Sequence, residues 1–379
     1  LSGLTATWPG DRPAPERRMS FARQQPARSD GPQRKSLRKR VSWKVPAEMT
    51  IPETQTAVVI TAAGGPDVLV PERVPVGMPG PGQVLIRVTA AGINRHDVHQ
   101  RAGGRHSDGN AVPGLEVCGT VAALGNGVEG LPAGGRVMAL VQGGGYGQYA
   151  VASSALTMPV PDEFTDSEAA GIPEAVFTAW WNFFHLMSLG KDQFGLFHGG
   201  TSGVGHIALQ AMSALGYKVL ATAGSDGKVA AAKAFGAYAA FSYRDPDLAA
   251  KVMDATGGAG ISALLDVSAG AHLEQDLKMM ADDGQIAHLS GGGGAALAIP
   301  LRDVMAKRIR ITGSLLRPLP LDRKVLVAES IRKEVWPLLG REVRPVIAQE
   351  FDFRDAAAAH RLMEANSHIG KIMLRVTHD

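Results

Sequence analysis

The sequence predicts an α/β protein: a doubly wound parallel sheet joined to a β-rich domain. Two observations carry this. Between residues 194 and 316, strand-like runs alternate with helix-spaced segments that end in Gly, the pattern of right-handed βαβ units. From Met49 to Pro173 the chain instead shows short strand-like runs broken by Gly and Pro. At 379 residues it exceeds one compact core and suits two domains.

Taken in order, TAVVI (56–60), QVLIRVTAAGIN (83–94), GTVAALG (119–125) and GRVMALV (135–141) read as strands of a small rolled β domain. GIPEAVFTAWWNFFHLMSLG (171–190) reads as a helix, with Pro173 near its start and Gly190 after its end. The parallel strands are FGLFHGG, YKVLATAGS, YAAFSYR, ISALLDVSAG, GQIAHLSG and IRITGSLL. The helices between them include HIALQAMSALG, GKVAAAKAFG and DLAAKVMDATGG. After Pro318 come a helix (322–338), a strand (346–353), a helix (354–366) and the strand IGKIMLRV. That run is expected to return to the first domain. The expected division is a disordered basic tail at 1–48, a catalytic domain at 49–173 and 319–379, and a dinucleotide-binding domain at 174–318.

Composition narrows the class. Hydrophobic residues make up 45% and charged residues 20%, a globular balance. No apolar run approaches the ~18 residues that cross a bilayer. Cys118 is the single cysteine, which excludes a disulfide scaffold and multi-cysteine metal sites, and fits a reducing cytoplasm. The net charge of +3 is uneven: residues 1–48 carry 11 Lys+Arg against 4 Asp+Glu, and the remainder 28 against 32. The body is therefore acidic and is not expected to bind nucleic acid. The tail starts at Leu1, is rich in Arg, Pro and Ser, and reads as disordered or as an extension upstream of Met49. A basic nucleic-acid arm or a transit peptide is the alternative, though six prolines oppose an amphipathic helix.

A literal G-x-G-x-x-G occurs at Gly125–Gly130, but LPAGG follows it and no helix can open there, so it reads as a turn between strands. The better site is Gly200-Thr201-Ser202-Gly203-Val204-Gly205, with Ser202 at the middle glycine position. A buried strand precedes it and a helix follows. Small residues there let backbone N–H groups reach a pyrophosphate at a positive helix end. The next strand ends Thr222-Ala223-Gly224-Ser225, with no acid at its tip to bind a ribose 2′-hydroxyl. Ser225 and Lys228 suit a 2′-phosphate, hence NADPH, with Asp226 turned to solvent.

The chain resembles the zinc-free quinone oxidoreductases, the zeta-crystallin-like branch of the medium-chain dehydrogenases. The resemblance rests on TAVVITAAGGPDVL, GINRHDVHQRAGG, PGLEVCGTV, HGGTSGVG, LATAGSDGKVAAAKAFGA, GSLLRPLP and EANSHIGKIML, from about residue 55 to 376. It implies a GroES-like catalytic domain built from both chain ends around a Rossmann domain, NADPH as hydride donor, and a homodimer joined through the edges of the Rossmann sheets. It implies pyrophosphate contacts at Gly203 and Val204, and a 2′-phosphate pocket of Gly224, Lys228 and Tyr243. Asn94 and Thr178 should lie by the nicotinamide, and Asn366 and Lys371 close to the cofactor. Zinc-dependent relatives use Cys where this chain has Asn94, and His where it has Leu115. A catalytic zinc needs three protein ligands, so no metal is expected. His96, His99 and His106 lack a thiolate or clustered carboxylates beside them. Glu116 and Cys118 are expected as strand residues packed beside the cleft. The loop Gly104-Arg105-His106 departs from the family, which often carries a tyrosine there.

Without a metal or an evident acid–base pair, catalysis should rest on orientation and polarisation. The expected activity is NADPH-dependent reduction of quinones or related conjugated carbonyls by one- or two-electron transfer, with Asn94 and backbone donors near the substrate oxygen. Arg105 or His99 would admit a polar substituent, or serve only as surface loop residues. Two alternatives remain: a reductase of enone or enoyl C=C bonds, and an RNA-binding or structural crystallin-like protein.

Overall fold

The computed structural model describes residues 50–104, 111–290 and 296–378. The tail, Met49, Arg105 and His106 lie outside these described residues. The described residues hold two six-stranded sheets and a two-stranded ribbon.

The ribbon pairs β1 (Thr54–Ile60) antiparallel with β2 (Leu69–Pro75). Then come β3 (Gln83–Gly92), helix α1 (Arg95–Gly103), β4 (Glu116–Leu124), β5 (Arg136–Val141) and β6 (Tyr149–Pro159). These four strands run antiparallel in sequence, and β6 also pairs with β3, which rolls the sheet closed. Val84 and Ile86 are buried in the main core of this domain and Leu85, on the other face, in a second cluster with Ala122, Ala123 and Tyr149. The β2 and β6 segments were not expected as strands; VPERV and YAVASSALTMP offer weak apolar alternation.

The expected helix at 171–190 is divided. A short α2 (Asp166–Ala170), capped by Thr165, precedes α3 (Pro173–Trp180), which runs on as a π-helical turn at Trp181–Leu186. Pro173 has no N–H to continue an earlier helix and so opens a new one.

The second sheet contains β7 (Phe194–His198), β8 (Lys218–Ala223), β9 (Ala240–Ser242), β10 (Ile261–Asp266), β11 (Met280–His288) and β12 (Arg310–Gly313). All its pairings are parallel, and the spatial order is β12-β11-β10-β7-β8-β9. This is the doubly wound Rossmann arrangement, with its switch point between β7 and β10. The crossover helices are α4 (Gly205–Ala214), α5 (Asp226–Ala234), α6 (Leu248–Ala255), α7 (Leu273–Met279) and α8 (Leu301–Lys307).

The chain ends through α9 (Leu321–Glu334), β13 (Ile347–Asp352), α10 (Ala356–Ala365) and β14 (Lys371–Arg375). Strand β14 inserts between β13 and β3, antiparallel to β3, and so joins the first sheet. Among the described residues no helix is long and apolar enough to cross a membrane.

Candidate active site

The glycine turn leaves the carboxyl end of β7, at the switch point. Gly199 takes φ +83°, which only a residue without Cβ adopts freely, and its N–H and that of Gly200 both donate to the Thr222 carbonyl at 3.0 Å. A Cβ on Gly200 would stand 2.5 Å from the Ala221 Cβ, and one on Gly205 2.5 Å from the Gly199 oxygen. These two glycines therefore let strand and helix meet, and neither lines the cleft above them. Gly203 is different: a Cβ there would approach the Lys371 Cδ to 2.9 Å. Ser202 accepts the Gly205 N–H at 3.0 Å on its Oγ and so caps the entry to α4.

That turn opens onto a cleft of about 770 Å³. Ser202, Gly203 and Val204 line it from the turn, and Asn94, Arg95 and His99 from the rolled sheet and α1. Gly224, Ser225, Lys228 and Tyr243 line its far end, together with Asn366. Arg244 also lines it, a cation the sequence reading passed over as a strand end.

At this far end the fit is close. A Cβ on Gly224 would lie 2.5 Å from the Tyr243 hydroxyl, so only glycine leaves that oxygen room. Ser225 caps α5 by accepting the Lys228 N–H at 3.4 Å. The Lys228 ammonium donates to the Asn366 carbonyl at 2.6 Å, and Arg95 donates to the Asn366 side chain. Asn366 itself sits at φ +54° as the C-terminal cap of α10. Asp226 is exposed.

Beneath the cleft floor lies a buried polar set. The Lys371 ammonium pairs with Glu116 and donates to Asn94 Oδ1 at 3.0 Å. Asn94 Nδ2 donates to Glu116 Oε1 at 2.9 Å, and the Glu174 backbone N–H to Glu116 Oε2 at 2.9 Å. Asn94 therefore lines the cleft, with its side-chain amide engaged by Glu116 and Lys371. Thr178, one turn beyond Glu174 on α3, is buried with its hydroxyl 3.5 Å from Glu174 Oε1. Burial, then the neighbouring Glu116 charge, pushes the Glu174 carboxyl up to about 8.

A second buried set ties α1 to α10. The Tyr146 hydroxyl lies 3.0 Å from Asp97 Oδ2 and 3.1 Å from His360 Nε2, while Arg101 approaches His360 Nδ1 at 3.4 Å. Burial raises Asp97 to about 6, against the Asn94 N–H and the Tyr146 hydroxyl. Burial, helped by Arg101, lowers His360 to about 3.

Neither Glu174 nor Asp97 was picked from the sequence, and Glu116 was read only as a packed strand residue. A signal existed: a carboxylate inside the apolar run PGLEVCG and an ammonium inside IGKIML each require a buried partner. Cys118 is buried with its thiol pushed up by burial, so it is no nucleophile. Among the described residues no three His, Cys, Asp or Glu stand together as a metal site.

Comparison with known proteins agrees with this fold. Residues 80–162 match the family described as alcohol dehydrogenase GroES-like domain, and residues 203–329 match zinc-binding dehydrogenase. Quinone oxidoreductase of Rattus norvegicus is 30% identical over 333 residues, covering 84% of this chain and 97% of the relative. A 2-haloacrylate reductase of Burkholderia sp is 29% identical over 84% of this chain and 98% of its own length. Among solved structures, a mycobacterial protein complexed with NADPH superposes with TM-score 0.76 at 27% identity, covering 84% of this chain and 99% of that one. The chain belongs to the medium-chain dehydrogenase/reductase superfamily, as a relative of its quinone oxidoreductases.

Proposed function

We propose that the protein is an NADPH-dependent oxidoreductase that reduces quinones or related conjugated carbonyls. One observation carries this reading: a single cleft brings the glycine turn, the acid-free tip of β8 with Lys228 and Tyr243, and Asn94 together. When bound, NADPH supplies the hydride. Gly203, Val204 and the N-terminal end of α4 would hold its pyrophosphate. Ser225, Lys228 and Tyr243 would hold the 2′-phosphate, with Arg244 and Arg95 adding positive charge. Asn94 and Thr178 would border the nicotinamide, and Asn366, which holds the Lys228 ammonium, and Lys371 would lie close to the cofactor. In this reading residues 49–173 and 319–379 form the catalytic domain and 174–318 the cofactor domain. The similarity to quinone oxidoreductases and to an NADPH-complexed structure supports it.

A second reading, reduction of an activated C=C bond, is favoured by the similarity to 2-haloacrylate reductase. Steady-state NADPH oxidation with ortho- and para-quinones beside small enones and 2-haloacrylates separates the two. Turnover of quinones supports the first reading; turnover of enones or haloacrylates alone replaces it with the second. We also propose a homodimer through edge strand β12, beside which Leu301, Met305 and Leu315 are exposed. Sedimentation at several concentrations tests it, and a monomer throughout would refute it.

A further inference from the structure

Two cations meet at Asn366 from different walls of the cleft. Lys228, in the first turn of α5, comes from the parallel-sheet side, and its ammonium donates to the Asn366 carbonyl at 2.6 Å. Arg95, the first residue of α1, comes from the rolled-sheet side. Its Nη2 donates to the Asn366 side-chain oxygen, and also to the Met363 carbonyl at 2.8 Å. Lys228, Arg95, Met363 and Asn366 all line the cleft, and no Asp or Glu is among its described lining. The acid whose charge reaches Arg95 is Glu364, which is itself paired with Arg101. Among the described residues both cations thus donate only to neutral oxygens, while partial burial lowers the pKa of each. Two like charges that share one residue repel, and Asn366 holds them together by giving each an acceptor. Both Arg95 contacts use a single nitrogen, so the Nε and Nη1 side of its fork remains for an anion.

We propose that Arg95 is the second half of the 2′-phosphate site: Lys228 grips the phosphate from one wall and Arg95 from the other, with Asn366 positioning the two cations for it. The inference rests on the proposed NADPH-dependent function. It makes the cofactor preference a property of both walls rather than of the parallel-sheet wall alone. A phosphate monoester carries close to two charges on several free oxygens, so the fork and the ammonium can bind it together. Such charge-assisted bonds are roughly twice as strong as those to a neutral oxygen. The pyrophosphate is the rival partner for Arg95. Arg95 is assigned to the 2′-phosphate because it shares Asn366 with Lys228, whereas among the described residues no hydrogen bond links it to the glycine turn. Arg244 also lines the cleft, but it lies over the Tyr243 ring, 5.7 Å from its centre, on Lys228's own wall. NADPH would therefore tie the two walls through its 2′-phosphate, and NADH would not.

The experiment titrates NADPH, NADH, 2′,5′-ADP and 5′-AMP by calorimetry into wild type, Arg95→Met and Asn366→Gly. Arg95→Met should weaken NADPH and 2′,5′-ADP binding ~10-fold or more, and NADH and 5′-AMP binding far less. Asn366→Gly removes the side-chain acceptor and leaves a residue at ease with φ +54°. It should weaken the same two ligands selectively, by a smaller factor. Equal losses of NADPH and NADH in Arg95→Met would move Arg95 to the pyrophosphate and overturn the inference, as would unchanged binding of 2′,5′-ADP. Should Arg95→Met fail to melt cooperatively, Asn366→Gly decides: a selective loss supports the two-walled site, and an unchanged preference for NADPH overturns it. A wild-type chain that binds 2′,5′-ADP no better than 5′-AMP overturns the 2′-phosphate reading itself, and this inference with it.

Discussion

The Lys228 ammonium, on the helix after the second parallel strand, donates to the backbone carbonyl of Asn366 at 2.6 Å. This contact closes one end of the cleft with a cation already half withdrawn from water; burial lowers its pKa. A 2′-phosphate would offer that cation a charged partner in place of a neutral carbonyl.

Lys228→Ala should therefore weaken NADPH binding about 10- to 100-fold, from one lost charge-assisted hydrogen bond of about 1.5–3 kcal/mol. NADH binding should change far less. Fluorescence titration of both nucleotides checks this, and equal losses would refute the 2′-phosphate contact.

The glycines of the true turn and of the false motif should separate by phenotype. Gly203→Ala puts a methyl against the Lys371 stem and should weaken dinucleotide binding. Gly200→Ala presses on the Ala221 methyl and should cost about 1–3 kcal/mol of stability. In the false motif, a Cβ on Gly127 meets nothing within 4 Å, but φ is +78°. Gly127→Ala should cost about 1–2 kcal/mol of stability and leave cofactor affinity intact. Urea unfolding beside nucleotide titration gives both readouts.

Breaking the Glu116–Lys371 pair from one side strands a buried charge. Glu116→Gln or Lys371→Met should each destabilise by about 3–5 kcal/mol, and the double variant by clearly less than their sum. A double-mutant cycle in urea measures the coupling. Additive losses would show that the two charges do not sense each other.

Acid should unfold the protein through its buried neutral histidines. Burial lowers His206 to about 4 and His360 to about 3, whereas the unfolded chain protonates both near 6.5. Their contribution is complete above pH 6.5 and is lost as pH falls toward 4 and then 3. Asp97 and Glu174, raised to about 6 and about 8, act the other way: they favour the fold at low pH and cease to as pH rises through those values. Urea midpoints for wild type and His206→Gln should show the acid slope flattened in the variant. An unchanged slope would mean that His206 titrates normally in the fold.

Much of the architecture was legible because it is local. The βαβ rhythm, the hydroxyl-bearing turn at Ser225 with Lys228 just after it and the helix after Gly205 are all set by residues within a few positions of one another. The helix that fails to open after Gly130 exposed the false motif in the same way. What was not legible is held by distance in sequence: Lys371 meets Glu116 across 255 positions, and His360 meets Tyr146 across 214. No periodicity encodes such pairs; only the rule that buried charge must be matched hints at them. The roles within the glycine turn were also hidden, since packing glycines and a cleft-facing glycine look alike until their neighbours are known. Asn94 shows the same limit, as its place in the cleft was expected and its engagement by Glu116 and Lys371 was not.

The placement of β14 has a consequence for how the polypeptide is made. A ribosome releases the whole run 194–313 as one continuous stretch, so the parallel sheet can assemble while synthesis continues. The rolled sheet cannot be finished then. Strand β3 pairs with β6 over residues 83–87, but its last residues, 90–92, must wait for residues 371–375, which are made after the whole parallel sheet. Premature termination upstream of Lys371 would thus leave the last residues of β3 without a partner in the older part of the chain, while the parallel sheet stands folded.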